Sequence, residues 1–315
     1  MGRNSYFVDD GWAFWIDGDD TSTVYINDWL NPKRHNYIDI AISTRGIKDS
    51  KSLNIYIPFE VSRDELDDIS LRLNKDDILY AIFDAACVID YQKNVCTSEL
   101  AYHGKTVDLV HVSKLNYTMK PLATGTMFYL DFAELLPMLD NDEAYFVFRV
   151  PHKSVDRVFR PKRDMRGSLR RLRDLITSPV IDQKYGYSVR INEARLLPPE
   201  INHVGAFHRQ KLRRAVITIA LSDGYEVNDN GCYRIRRLEE ELYHGYEPEG
   251  FSNEDVINYQ WEQTRERSFL GHFNFYFSIA HNTVNHASMV IYLILIVIIG
   301  SMGSALWDLI KTLLG

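Results

Sequence analysis

Residues 268–307 read SFLGHFNFYFSIAHNTVNHASMVIYLILIVIIGSMGSALW, forty residues without a single Asp, Glu, Lys or Arg. The second half, Ala287–Trp307, is apolar over the roughly 20 residues that a helix needs to cross a hydrocarbon core about 30 Å thick. Lipid offers the backbone no hydrogen-bond partner, so such a span must be helical. The sequence therefore predicts a transmembrane helix over 287–307, with Tyr292 and Trp307 as interfacial or packing aromatics and Lys311 at the far end. Arg265 and Arg267 lie upstream with many more basic residues before them, so the positive-inside rule leaves the large N-terminal part in the cytoplasm. Only the tail 308–315, DLIKTLLG, would lie beyond the membrane, a tail-anchored topology. A return of the chain near Asn282–Asn285, giving two passes, stays open. Gly300 with Ser304, and Ser301 with Ala305, form small-xxx-small pairs that let membrane helices approach closely.

The first half of the stretch is too polar to face lipid. At helical spacing Asn274, Ser278, His281, Asn285 and Ser288 share one face, opposite Phe269, Phe273, Tyr276, Ala280, Val284 and Ala287. A helical linker over 251–286 is expected, its uncharged polar stripe lining a pore or a helix interface in a homo-oligomer. A helix lying in the membrane interface fits the same pattern.

Residues 1–250 read as one β-rich cytosolic domain. The chain has 315 residues, a net charge of −7, and 45% apolar with 12% aromatic residues, enough to bury a sizeable core and too much for disorder. Its three cysteines form no CxxC pair, which argues against a disulfide framework or a zinc ribbon. The first residues, MGRNSYFVDDGW, hold no apolar run of secretory type. Ile38, Ile40 and Ile42 alternate with Asp39, Ala41 and Ser43, and Leu53, Ile55, Ile57, Phe59 and Val61 alternate with Asn54, Tyr56, Pro58 and Glu60, the period of half-buried strands. Pro58 predicts an edge strand or a bulge. Further strands are expected at Phe14–Ile16, Val107–Val112, Met127–Phe132, Tyr145–Val150, Tyr187–Ile191 and Ala215–Leu221. Helices are expected at Ser62–Leu73, where Ser62 and Glu65 form a capping box, at Asp76–Tyr91, near Arg166–Ile176 and from Asn253 onward. Strands and helices do not alternate regularly, so the expected class is α+β: a mainly antiparallel, sandwich-like domain with helical insertions, followed by the membrane helix.

No phosphate loop, dinucleotide fingerprint, nucleophile elbow or HExxH motif is present, so no catalytic residue, metal or cofactor is expected. His203 and His208 lack a third ligand at metal spacing. Asp182-Gln183-Lys184 has the form of a nuclease signature's tail, a short pattern that recurs by chance. The basic run is the better clue: Arg157, Arg160, Lys162, Arg163, Arg166, Arg170, Arg171 and Arg173, set against Asp164 and Asp174 in an acidic chain. Guanidinium groups suit bidentate phosphate contacts. Arg160, Arg163, Arg166, Arg170 and Arg171 are thus candidates to bind a nucleotide signal or a short single-stranded nucleic acid, with Tyr185, Tyr187 and Phe207 available to stack on bases. Anionic lipid headgroups, or an acidic surface of the protein itself, are the other partners open to this run.

A cytosolic β-rich body, the arginine-rich segment 157–173 and an anchor within 268–307 together resemble the membrane effectors of bacterial anti-phage defence systems. The resemblance is one of architecture and transfers no site residue. It implies an oligomeric effector or channel at the bacterial inner membrane, gated by a nucleotide or oligonucleotide from a signal-producing partner enzyme. A tail-anchored adaptor whose β-domain binds a protein, and a membrane-tethered nuclease, are the alternatives.

Overall fold

The computed structural model describes residues 5–17, 21–31, 35–45, 47–73, 86–90, 96–102, 105–111, 117–133, 135–138, 143–155, 180–204, 211–222, 225–228, 231, 234–238, 244–249, 251, 256–264, 272–284 and 286–314. Sixteen strands are formed among them: β1 (Ser5–Ile16), β2 (Thr21–Leu30), β3 (Tyr37–Arg45), β4 (Ser52–Ile57), β5 (Ala86–Asp90), β6 (Cys96–Tyr102), β7 (Lys105–His111), β8 (Tyr117–Leu122), β9 (Gly125–Asp131), β10 (Glu143–Pro151), β11 (Val180–Ile191), β12 (Lys211–Ser222), β13 (Tyr225–Asn228), β14 (Arg234–Arg237), β15 (Val256–Thr264) and β16 (Phe273–Val284). A short helix α1 (Pro199–Asn202) and a long one, α2 (His286–Leu314), accompany them.

The strands make two mainly antiparallel sheets. One has seven strands in the order β13-β16-β11-β1-β4-β9-β8; the other has nine in the order β14-β15-β12-β2-β3-β10-β7-β6-β5. Parallel neighbours are β1 with β11, β2 with β12 and β7 with β10. The expected α+β class, a sandwich-like β domain followed by an apolar helix, is the observed one.

The alternating apolar residues of both sheets meet in a shared core. Val24, Ile26, Ile38, Ile40 and Ile42 come from one sheet, and Phe14, Leu53, Ile55, Phe128 and Ile279 from the other. Ring pairs lock the layers together: Phe128 on Phe148 at 5.7 Å, Phe132 stacked on Phe146 at 5.7 Å, and Trp261 stacked on Phe277 at 4.8 Å between centroids. Both outer faces are also partly covered. Trp29, Ala41, Tyr145 and Val147 pack under Tyr246 and Phe251, while Trp15, Tyr56 and Met127 pack under Leu197 and Ile201. That second layer lies so close to β1 that a Cβ on Gly11 would fall 2.7 Å from Leu196 Cβ, which explains the glycine.

Several expected elements differ. Residues 273–284 form a strand, so the helical linker over 251–286 is replaced by β15 and β16, and the body runs to Val284 instead of closing at residue 250. A run of Phe-x-Phe-x-Phe-x-Ile satisfies period two as readily as an uncharged stripe satisfies period 3.6. The sheet decides, because Phe273, Phe275, Phe277 and Ile279 are buried in the core while Asn274 and Tyr276 are exposed. Ser62–Leu73 makes two single-turn 3-10 segments instead of a helix, although Glu65 does accept the Ser62 N–H at 2.8 Å. Between them Asp67 bonds to Arg149 across the edge of β10, an attachment that a continuous helix would not permit. The end of the helix expected over 76–91 is strand β5; residues 74–85 lie outside the described residues, as does the helix expected near 166–176. β4 stops at Ile57 and sits between β1 and β9, so Pro58 ends an interior strand and marks neither an edge nor a bulge. The turn-rich 222–232 stretch contains β13.

β1 changes partners midway. Ser5–Trp12 pair with Lys184–Ile191 of β11, and Ala13–Ile16 pair with Leu53–Tyr56 of β4. Asn192 completes the vacated side: its side chain accepts the Phe14 N–H at 2.8 Å and donates to the Phe14 carbonyl at 3.1 Å. It does so from a left-handed backbone, φ 59°, which asparagine tolerates. Replacing Asn192 by Ala should cost about 2–4 kcal/mol, since two buried backbone groups lose partners. Asn192→Gly should cost less, because glycine keeps the left-handed conformation. Urea unfolding of the full chain in detergent would show whether that order holds.

Candidate functional site

α2 is the feature without a structural role in the body. Met289–Thr312 is long and apolar enough to cross a membrane, and none of that window is buried. At 1.5 Å per residue, its 24 residues extend about 36 Å, against about 30 Å of hydrocarbon. Met289, Val290, Leu293, Ile294, Ile296, Val297, Ile298 and Ile299 are all exposed. An exposed apolar surface of that extent marks a membrane or protein interaction site. Gly300, Ser304 and Ala305 are bare, and a Cβ on Gly300 or Gly303 would meet nothing within 4 Å. Ser301 turns its hydroxyl back to the Ile298 carbonyl at 2.8 Å. Lys311 lies over the Trp307 ring, 5.7 Å from its centroid.

Sequence reasoning grouped Asn274, Ser278, His281, Asn285 and Ser288 on one helical face, and the fold separates them. Asn274 and Ser278 stand on the outer face of β16 opposite Arg190 and Gly186. The side chain of His281 lies outside the described residues. Asn285 and the side chain of Ser288 lie outside the described residues. A strand places 274 and 288 on different elements, so they line nothing together. The Asn274 carbonyl accepts from Gln263 Nε2 at 2.8 Å, and its side-chain nitrogen can reach Glu193 Oε2 at 3.1 Å. Glu193 also pairs with Arg195, and with Arg190 at 3.2 Å. Burial raises the Glu193 carboxyl, but the bonds from Arg195 and Arg190 outweigh it and hold the group below the usual glutamate range.

Arg160, Arg163, Arg166, Arg170 and Arg171 lie outside the described residues, as do the side chains of Asp182 and Lys184 and residue His208. His203 is exposed. Tyr185 and Tyr187 face the core and are buried, so they present no ring for a base to stack on.

The structure adds two buried charge clusters that the sequence reading did not identify. On the inner face of β2, Asp28 lies 2.6 Å from His152 Nδ1 and accepts the Tyr187 hydroxyl, all three in the core. Trp12, Phe59 and Tyr187 surround the imidazole. On the outer face of the same sheet, Asp39 takes a fork from Arg149, Nε at 2.5 Å and Nη2 at 2.9 Å, and accepts from Trp29 Nε1 at 2.8 Å. Arg149 also donates to the Tyr246 carbonyl at 2.8 Å and lies over the Trp29 and Tyr246 rings. The only trace of either cluster in the sequence is an aspartate interrupting an apolar strand, DWL after Asn27 and IDI at 38–40.

Arg149→Met should destabilise the fold by about 3–5 kcal/mol, since it strands a buried carboxylate, and Arg149→Met with Asp39→Leu should recover most of that loss. Thermal melts of the three proteins would check it. For Glu193, a lowered folded pKa means that its contribution is present above the unfolded value and is lost as pH falls through the folded one. Glu193→Gln should therefore flatten the acid side of a plot of Tm against pH.

No protein-family model matches the chain, and no curated protein matches it. Among solved structures, the Fcho1 Mu homology domain of Danio rerio with bound Eps15 peptide is matched at 9% identity over 89% of this chain and 81% of that one. Its TM-score of 0.10 is too low for a shared fold to be read from it.

Proposed function

We propose that this chain is a non-enzymatic, membrane-anchored binding protein: α2 spans the bilayer, and the β-sandwich works at the cytoplasmic membrane surface. The observation that carries the reading is the wholly unburied apolar surface of α2 beside a body whose own core is complete. The arginine-rich segment supplies the ligand chemistry. Arg160, Arg163, Arg166, Arg170 and Arg171 bind a phosphate-rich partner, a nucleotide signal or a short single-stranded nucleic acid. Support comes from connectivity: the segment ends at Arg173, with six residues between it and the start of β11 at Val180, and Val180 pairs with Val284, two residues before α2.

A second reading is an oligomeric effector of the bacterial inner membrane, in which α2 helices of several copies associate through Gly300 and Ser304. The bare small-residue surface of α2 favours it. A pore lined by Asn274 and Ser278 is not part of it, because both stand on the sheet. Gating in either version requires that the ligand bind one state of the protein better than the other.

The full chain should resist extraction from membranes by alkaline carbonate, and a chain ending at Val284 should be released. Release of the full chain would overturn the anchoring. Arg166→Glu with Arg170→Glu should abolish co-purification of phosphate-rich small molecules, as read by mass spectrometry of a denatured extract, without lowering Tm. If a stoichiometric ligand persists in that variant, the arginines do not hold it.

A further inference from the structure

We infer that the end of the seven-stranded sheet formed by the start of β11, the start of β13 and the end of β16 faces the lipid headgroup layer at close range, with the opposite end of the sandwich held away from the bilayer. The inference rests on α2 spanning the membrane and adds which surface of the body faces it.

The argument is one of chain length. β16 ends at Val284 and α2 begins at His286, with only Asn285 between them. The candidate span starts at Met289. Two extended steps of about 3.5 Å and three helical steps of 1.5 Å put Val284 about 12 Å from Met289. The polar layer on each side of the hydrocarbon is about 5–7 Å thick. Even with the junction fully extended, Val284 therefore stands no more than about 5–7 Å beyond the headgroups.

Register fixes what accompanies them. Val284 pairs with Val180, and His281 pairs with Tyr225, so the starts of β11 and β13 lie at the same end. Lys184 pairs with Ser5, bringing the start of β1 there as well. The other end is equally defined. Phe273 pairs with Ile191, and the Gln263 bond to Asn274 joins the end of β15 to the start of β16. Eleven strand steps at about 3.3 Å separate Phe273 from Val284, about 36 Å. Thr264, the last residue of β15, thus stands at the end remote from the membrane, and Arg265 and Arg267 lie outside the described residues. The Glu193, Arg190 and Arg195 cluster belongs to the remote end too, where a soluble partner has access to it.

The test uses the full chain with Cys87, Cys96 and Cys232 changed to Ser, carrying one spin label at Glu226→Cys or at Thr264→Cys. Both native side chains are exposed. Glu226 pairs with Ala280, about 13 Å along the strand from Val284. The protein is reconstituted in phosphatidylcholine–phosphatidylglycerol vesicles containing a nickel-chelating lipid. Relaxation of the label at 226 should be enhanced several-fold over that at 264. Equal enhancement at both sites, or none at 226 in protein that resists carbonate, would overturn the docking; protein stripped by carbonate would overturn the anchoring instead. A ten-residue Gly-Ser insertion after Val284 should abolish the contrast while carbonate resistance persists. An unchanged contrast after the insertion would show that the junction does not set the geometry, and would also overturn the inference.

Discussion

The hydrogen-bonded group of Asp28, His152 and Tyr187 ties the two sheets together inside the core. Asp28 belongs to β2 of the nine-stranded sheet and Tyr187 to β11 of the seven-stranded one, while His152 follows directly on β10. Apolar contact between sheets is strong but non-directional. A carboxylate buried between them accepts only a geometry in which its oxygens are both satisfied. The bridge therefore selects one offset of the sheets from the many that hydrophobic burial alone would tolerate. Tyr187 also packs edge-on against Phe277 of β16, 4.9 Å between centroids, so the strand that leads to α2 is seated on the same cluster.

Asp39 and Arg149 repeat the device on the outer face. There the Tyr246 carbonyl accepts from Arg149, and the Tyr246 and Phe251 rings cover Trp29. Burial and the facing Asp39 carboxylate act in opposite directions on the guanidinium, and the carboxylate prevails, keeping Arg149 charged. Neither cluster needs a ligand to be complete in its main contacts. Both are read as architecture, and function is assigned to the parts of the chain that the architecture leaves unoccupied.

The absence of a linker between sheet and membrane helix ties these levels together. A flexible spacer would let the body diffuse above the bilayer, and its orientation would carry no information. One residue between β16 and α2 instead converts strand register into distance from the membrane. On the proposed topology it gives the sandwich a membrane end and a remote end.

The sequence alone determined the apolar span and the inner faces of the strands, because each depends on a local pattern. Charge-free length identifies α2, and period two identifies Ile38, Ile40, Ile42, Leu53, Ile55 and Ile57. It did not determine residues 273–284, because alternating Phe with short polar residues fits a strand and a helix equally well. Only the presence of β11 and β13 as neighbours, supplying backbone partners on both sides, makes the strand the lower state. Nor did it show that Asp39 and Asp28 are buried: an aspartate within an apolar strand reads as solvent-facing until its partner arrives from 110 or 124 residues away. Tertiary structure decided those positions because burying a charge is favourable only where a distant group has been brought to meet it.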